Sequence, residues 1–184
     1  MAKQLGRCVF DDDVCNQIVE KLNEADALVV GSPVYYGQPN GAVMAVLQRA
    51  FFSGAKVQNK PAAAVTICRR GGATAAYQTL NMLFEKMNMP VVTSQYWNIA
   101  YGLASGEVAQ DTEGMQTMRT LGNNLLPDRH CYWEKHTCLD YAIQMIIFIH
   151  FIALILQNPS FVTDFFRNFG RICRISLYKG SSGD

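Results

Sequence analysis

Two short segments of this chain combine residue types suited to holding a ligand. The first, Gly31-Ser32-Pro33-Val34-Tyr35-Tyr36-Gly37-Gln38-Pro39-Asn40-Gly41, packs glycines, prolines and adjacent tyrosines into one loop-like stretch. Such a composition exposes backbone and offers aromatic faces, as a flat heteroaromatic ligand with hydrogen-bonding edges requires. It equally fits a tight turn whose tyrosines merely pack. The second segment, Arg69-Arg70-Gly71-Gly72, joins positive side chains to unhindered backbone N–H groups. At a helix start this favours a phosphate or another anion, while a solvated arginine pair remains the plain alternative. The six cysteines, Cys8, Cys15, Cys68, Cys131, Cys138 and Cys173, form no CxxC pair and are expected to be free thiols of a reducing, cytoplasmic protein. The three histidines, His130, His136 and His150, lie far from both segments and are expected to be structural or exposed.

The elements that must position these segments follow from hydrophobic pattern. Asp11, Asp12 and Asp13 precede Val14, Ile18, Val19 and Leu22, a helical face with acidic groups at the end the dipole favours. Ala27 to Val30 is a continuous apolar run of the kind a fully buried parallel strand shows. A helix is expected from about Gly41 to Phe52, with Val43, Val46, Leu47 and Ala50 inward. A strand follows at Ala62 to Cys68, then a helix from about Ala73 to Met87 and a strand at Val91 to Ser94. Alternating helices and strands imply crossover units on a parallel sheet covered on both faces. Ligands of such sheets bind beyond the carboxyl ends of the strands, so the two segments are expected side by side on one edge.

Composition sets the outer limits. The chain has 184 residues, 49% hydrophobic and 17% charged, with a formal net charge of +1. That suffices for a core and excludes a disordered tail protein, and its neutrality argues against nucleic acid as a partner. Texture changes after Asn124, so residues 1–124 read as one domain and residues 125–184 as a hydrophobic, mainly helical C-terminal extension. Within the extension, Tyr141 to Leu156 carries no charge but falls short of the about 20 residues a membrane span needs. A buried or partner-facing helix is preferred there over membrane association and over a segment with no evolved role. Ile172 to Tyr178 alternates like a strand and is a candidate to pair with an open sheet edge.

Taken together, Cys8-Val9-Phe10-Asp11-Asp12-Asp13, Ala25 to Gly37, Arg69-Arg70-Gly71-Gly72 and Gln110-Asp111-Thr112-Glu113-Gly114 resemble the flavodoxin-like NAD(P)H-dependent FMN reductases, including the iron-sulfur flavoproteins. The resemblance covers residues 7 to 124. It implies a flavodoxin-like three-layer αβα sandwich on a parallel sheet. It also implies FMN as cofactor, NADPH or NADH as donor and a small electron acceptor such as a quinone. The flavin ring is then expected against Ser32, Pro33, Val34, Tyr35, Tyr36 and Gly37, with Arg69, Arg70, Gly71 and Gly72 on its other side. No side chain is expected to act as a general acid, and a homo-oligomer is expected because related reductases complete their pocket across subunits. The family opens with a strand, a phosphate-cradling loop, a helix and a second strand that have no counterpart here. The expected sheet is therefore incomplete at its N-terminal side, with an unpaired edge on Ala27 to Val30. Iron-sulfur members carry a compact cysteine motif whose last position corresponds to Cys8; the other cysteines of that motif are missing, and no metal cluster held by this chain is expected. A flavodoxin-type electron carrier, and a flavin-less or membrane-associated interaction protein, are the alternatives. The neutral charge and the paired arginines speak against the carrier.

Overall fold

Asn16 anchors the first ordered turn of the chain. In the computed structural model, which describes residues 6–125, its side-chain oxygen accepts the Cys8 N–H at 2.8 Å. Its nitrogen donates to the carbonyls of Cys8 and Phe10. The helix α1 (Cys15–Glu24) follows and buries Cys15, Ile18, Val19 and Leu22. Its start is held by Asp13, whose Oδ1 accepts the Cys15 N–H.

β1 (Leu28–Tyr35) continues well past the apolar run, through Gly31-Ser32-Pro33 to Tyr35. The expected loop from Gly31 is therefore largely strand. Tyr36 and Gly37, both with positive φ, turn the chain back into β2 (Gln38–Pro39), a short antiparallel hairpin arm. Only primed-type turns match the twist of such a hairpin, which is why glycine follows a left-handed tyrosine here. Asn40 then caps α2 (Gly41–Phe52) by accepting from the Ala42 and Val43 N–H groups. α2 buries Val43, Leu47, Ala50 and Phe51, while Val46 is half-buried.

β3 (Ala62–Cys68) is buried at every position, as a central parallel strand must be. α3 (Ala73–Lys86) places Ala76, Tyr77, Leu80 and Phe84 in the core, and Asn88 at φ 56 reverses the chain behind it. The expected strand at Val91 to Ser94 is reduced to a single bridge between Val91 and Ala62. β-branched residues at 91–93 satisfy strand propensity, but the C-terminal helix α4 (Thr112–Asn124) captures the segment. Ser94 Oγ donates to the Thr117 carbonyl, and Asn124 donates to the Thr93 carbonyl. The edge strand is instead β4 (Ile99–Tyr101), set by buried Asn98, which donates to the Ala64 carbonyl while its own carbonyl accepts from Thr66.

The four strands run in the order β2-β1-β3-β4. β1 and β3 are parallel from Leu28↔Ala62 to Pro33↔Ile67, and β3 and β4 are parallel from Thr66↔Ile99 to Cys68↔Tyr101. Among the described residues no strand pairs with Leu28–Pro33 on its other edge. The result is an α/β domain with a mostly parallel sheet and flanking helices around one main core. No helix among the described residues is long and apolar enough to cross a membrane. The expectations for Tyr141 to Leu156, Ile172 to Tyr178, the three histidines and Cys131, Cys138 and Cys173 lie outside the described residues.

Candidate functional site

The parallel register brings the carboxyl ends of β1, β3 and β4 to one rim, since Pro33 faces Ile67 and Cys68 faces Tyr101 across the sheet. Gly72 fixes how the first two loops meet. It sits at φ 85 as the N-cap of α3, and a Cβ there would lie 2.7 Å from Gly37 Cα, 3.2 Å from Gly37 N and 3.5 Å from Val34 Cγ1. No side chain other than hydrogen is accommodated at that approach. The two segments singled out in the sequence therefore touch backbone to backbone.

Their residues divide into supports and exposed groups. Ser32 is buried, accepts the Asn40 N–H at 2.8 Å and donates to the Pro33 carbonyl. Its hydroxyl thus joins the end of β1 to the cap of α2. Val34 packs on Cys68, Ala73 and Ile99, and Pro33 is half-buried. Tyr35 and Tyr36 are exposed, Tyr36 completely. Arg69, Arg70, Gly71 and Gly72 are exposed, and neither arginine has an ion pair among the described residues.

Beneath them the start of α3 is tied down. The Arg70 and Ala73 N–H groups face the Cys68 sulfur, and Thr66 Oγ1 donates to the Ala73 carbonyl. Burial nevertheless pushes the Cys68 thiol up, so it remains protonated at neutral pH. The N–H groups of Gly71 and Gly72 have no acceptor among the described residues. Free donors at a helix N-terminus beside two cations make an electropositive corner.

A third loop, which the sequence reading did not single out, completes the rim. Tyr101 and Leu103 are exposed at the end of β4, and just before it the Tyr96 and Trp97 rings meet at a tilt of 54°, centroids 5.0 Å apart. Glu107 shapes this loop by accepting the Leu103 and Ala104 N–H groups, and those bonds hold its carboxyl below the usual range. Asp111 accepts from Tyr101 N with one oxygen and from Gly114 N with the other, capping α4. Burial first, then the neighbouring Cys68, Tyr96, Asp111 and Glu113, raises the Tyr101 phenol, which therefore stays neutral. The signal that could have revealed this loop is its three exposed aromatic residues, Tyr96, Trp97 and Tyr101, followed by glycines 102 and 106.

An open groove elsewhere, lined by Phe51, Phe52, Gly54, Leu83 and Met87, lies at the opposite end of the sheet, where α2 and α3 terminate. It carries no titratable cluster and no glycine cradle. The rim is the better candidate.

Comparison with known proteins identifies the family. Residues 2–104 match the model of the NADPH-dependent FMN reductases. An iron-sulfur flavoprotein of Methanocaldococcus jannaschii is 32% identical over 134 residues, covering 68% of this chain and 69% of that protein. One of Methanosarcina thermophila is 31% identical over 125 residues, 64% of this chain and 63% of its own length. One of Archaeoglobus fulgidus is 35% identical over 80 residues, covering 41% and 39%.

The chemistry of the rim fits the edge of a flavin ring: planar side chains, two cations and open backbone donors. The described residues do not fit an iron-sulfur cluster. None of their His, Cys, Asp and Glu side chains form a group of three or more able to hold a metal. Cys8 and Cys15 supply two thiols where such clusters take four.

Proposed function

Because the chain belongs to the NADPH-dependent FMN reductase family, we propose that its sheet rim holds the ring of an FMN. The protein would thereby serve as an NAD(P)H-dependent oxidoreductase whose electrons go to a small acceptor such as a quinone. Bound there, the flavin supplies hydride acceptance and electron release, chemistry that belongs to the cofactor. What supports the reading most is the contact of Gly72 with Gly37, which joins the tyrosine turn and the arginine turn into one surface.

In this reading Val34 and Gly37 fix the height of the rim. Tyr35 and Tyr36 offer faces to the ring, and the Gly71 and Gly72 N–H groups donate to its polar edge. Arg69 and Arg70 favour the charge that accumulates on a reduced ring. Ser32 acts through the Asn40 cap and is a positioning residue. The reading includes a homo-oligomer, supported by the exposed Tyr96 and Trp97 before β4 and the exposed Tyr101 and Leu103 at and after its end.

Titration of FMN fluorescence by the purified full chain tests it. Quenching at micromolar protein is expected, with Arg70→Ala and Tyr35→Ala each weakening Kd about tenfold, as loss of one charged or stacking contact implies. A chain that leaves FMN fluorescence unchanged, or variants that titrate like the parent, would remove the assignment.

A further inference from the structure

The free edge of β1 carries bonding capacity that the rim does not use. The Leu28 N–H donates to the Pro61 carbonyl at 2.9 Å, so Leu28, Val30 and Ser32 turn their backbone groups toward β3. By the same alternation Val29 and Gly31 turn their N–H and C=O groups to the other side. None of these four groups has a partner among the described residues. Val29 and Gly31 are nevertheless buried, Val29 to 4% exposure. Buried backbone groups are almost always paired, so this edge calls for a further strand.

The slot is short, and its two faces differ. At its far end Pro33 has no N–H, and β2 already pairs with Val34 and Tyr35. Ser32 and Thr66 lie opposite one another, and their hydroxyls bond the starts of α2 and α3, at the Asn40 N–H and the Ala73 carbonyl. That side of β1 therefore faces a helix layer. On the other side the described layer is α4, which packs on β4, two strands away from β1, with Gly114 against Ala100. A strand added beside β1 thus needs apolar side chains on one face and tolerates polar ones on the other.

We propose that residues Ile172–Tyr178 of this chain pair with Leu28–Pro33 and extend the sheet. The proposal is independent of flavin binding. The segment is short and set off by Gly170 and Gly180, as a slot of this length requires. Cys173, Ile175 and Leu177 make one apolar side, and Arg174 and Ser176 fall on the other, which matches the two faces of the slot. An arginine on an edge strand also discourages further strand addition. The route is short. Asn124, at the end of α4, donates to the Thr93 carbonyl, and the Val92 N–H donates to the Ala62 carbonyl, so the chain reaches buried Leu125 at the end of the sheet where Leu28 pairs with Ala62. The residues between Leu125 and Ile172 are more than enough to cross the domain. A second copy fits less well. Antiparallel self-pairing with Val29 opposite Gly31 sets Ala25 and Asp26 of the copy against Val34 and Tyr35, where β2 lies.

The test follows amide exchange in the labelled full chain by NMR, together with cross-strand NOEs. Slow exchange at Val29 and Gly31 is expected, with NOEs from both to residues 172–178. Replacing Arg174 and Ile175 together by proline removes a ladder donor whichever way the strand runs. That variant is expected to speed exchange at Val29 and Gly31 by about tenfold or more, while the Ala63 and Val65 amides, which bond β1 from β3, stay slow. Fast exchange at Val29 and Gly31 in the wild type, or protection that the proline pair leaves unchanged, would overturn the proposal. So would the absence of these NOEs, or NOEs from the edge to another segment or, in a mixed-label sample, to a second copy. The wild-type NOEs decide this even if the variant fails to fold.

Discussion

The rim of the sheet and the corner at α1 handle polar groups in opposite ways. At the corner side chains tie the backbone inward: Asn16 serves the backbone of Cys8 and Phe10, and Asp13 serves both Cys15 and Arg49. At the rim the backbone approaches closely at Gly37 and Gly72, but the arginines and tyrosines above it are left to solvent. The corner is built to stay closed. The rim is built with unspent hydrogen-bonding capacity, which is what separates a binding surface from a structural one.

If that contrast is right, the largest effect comes from forcing the rim apart. Gly72→Val places a β-branched residue at φ 85 and a carbon against Gly37. The expected loss is about 2–5 kcal/mol from strain and overpacking together, read by urea unfolding, with FMN binding lost as well. A wild-type midpoint for that variant would mean the two loops do not depend on each other.

Next in size is the corner's hub. Asn16→Ala leaves the Cys8 N–H and the Cys8 and Phe10 carbonyls without their partner, which costs about 1–3 kcal/mol. Hydrogen exchange is expected to accelerate over residues 8–11 while FMN affinity stays unchanged. Coupled loss of both would merge the two regions into one.

A smaller effect separates them by pH. Arg49 first, then the Cys15 N–H, holds the Asp13 carboxyl below the usual carboxylate range. A depressed carboxyl contributes stability that is present above its unfolded value near 4 and is lost as pH falls through the lower folded value. Asp13→Asn is therefore expected to flatten the stability profile below about pH 4 and leave the rim untouched. An unchanged profile would show that the pair contributes nothing.

The smallest stability effect belongs to Tyr36, which is completely exposed. Tyr36→Ala is expected to shift unfolding by less than about 0.5 kcal/mol while weakening FMN binding. Equal loss of stability and affinity would make it structural.

These predictions rest on features that the sequence revealed unevenly. Gly41–Phe52 and Ala62–Cys68 were legible to the residue, because a periodic face and a continuous apolar run each fix their element. The tyrosine turn was placed correctly on the edge but read as loop, since nothing local shows that Gly31-Ser32-Pro33 keeps pairing with β3. Val91 to Ser94 failed because α4 withdraws Thr93 and Ser94 from the sheet by long-range hydrogen bonds. β4 was missed because three residues held by Asn98 give no pattern, and with it went Tyr96, Trp97, Tyr101 and Leu103.

The most direct test of the rim as the flavin surface is an amide-shift map of the labelled chain with and without FMN. The account predicts the largest changes at Val34, Tyr36, Gly37, Gly71 and Gly72, with Cys8, Asn16 and the Phe51 to Leu83 groove unmoved. Shifts centred on that groove, or none at saturating FMN, would contradict it.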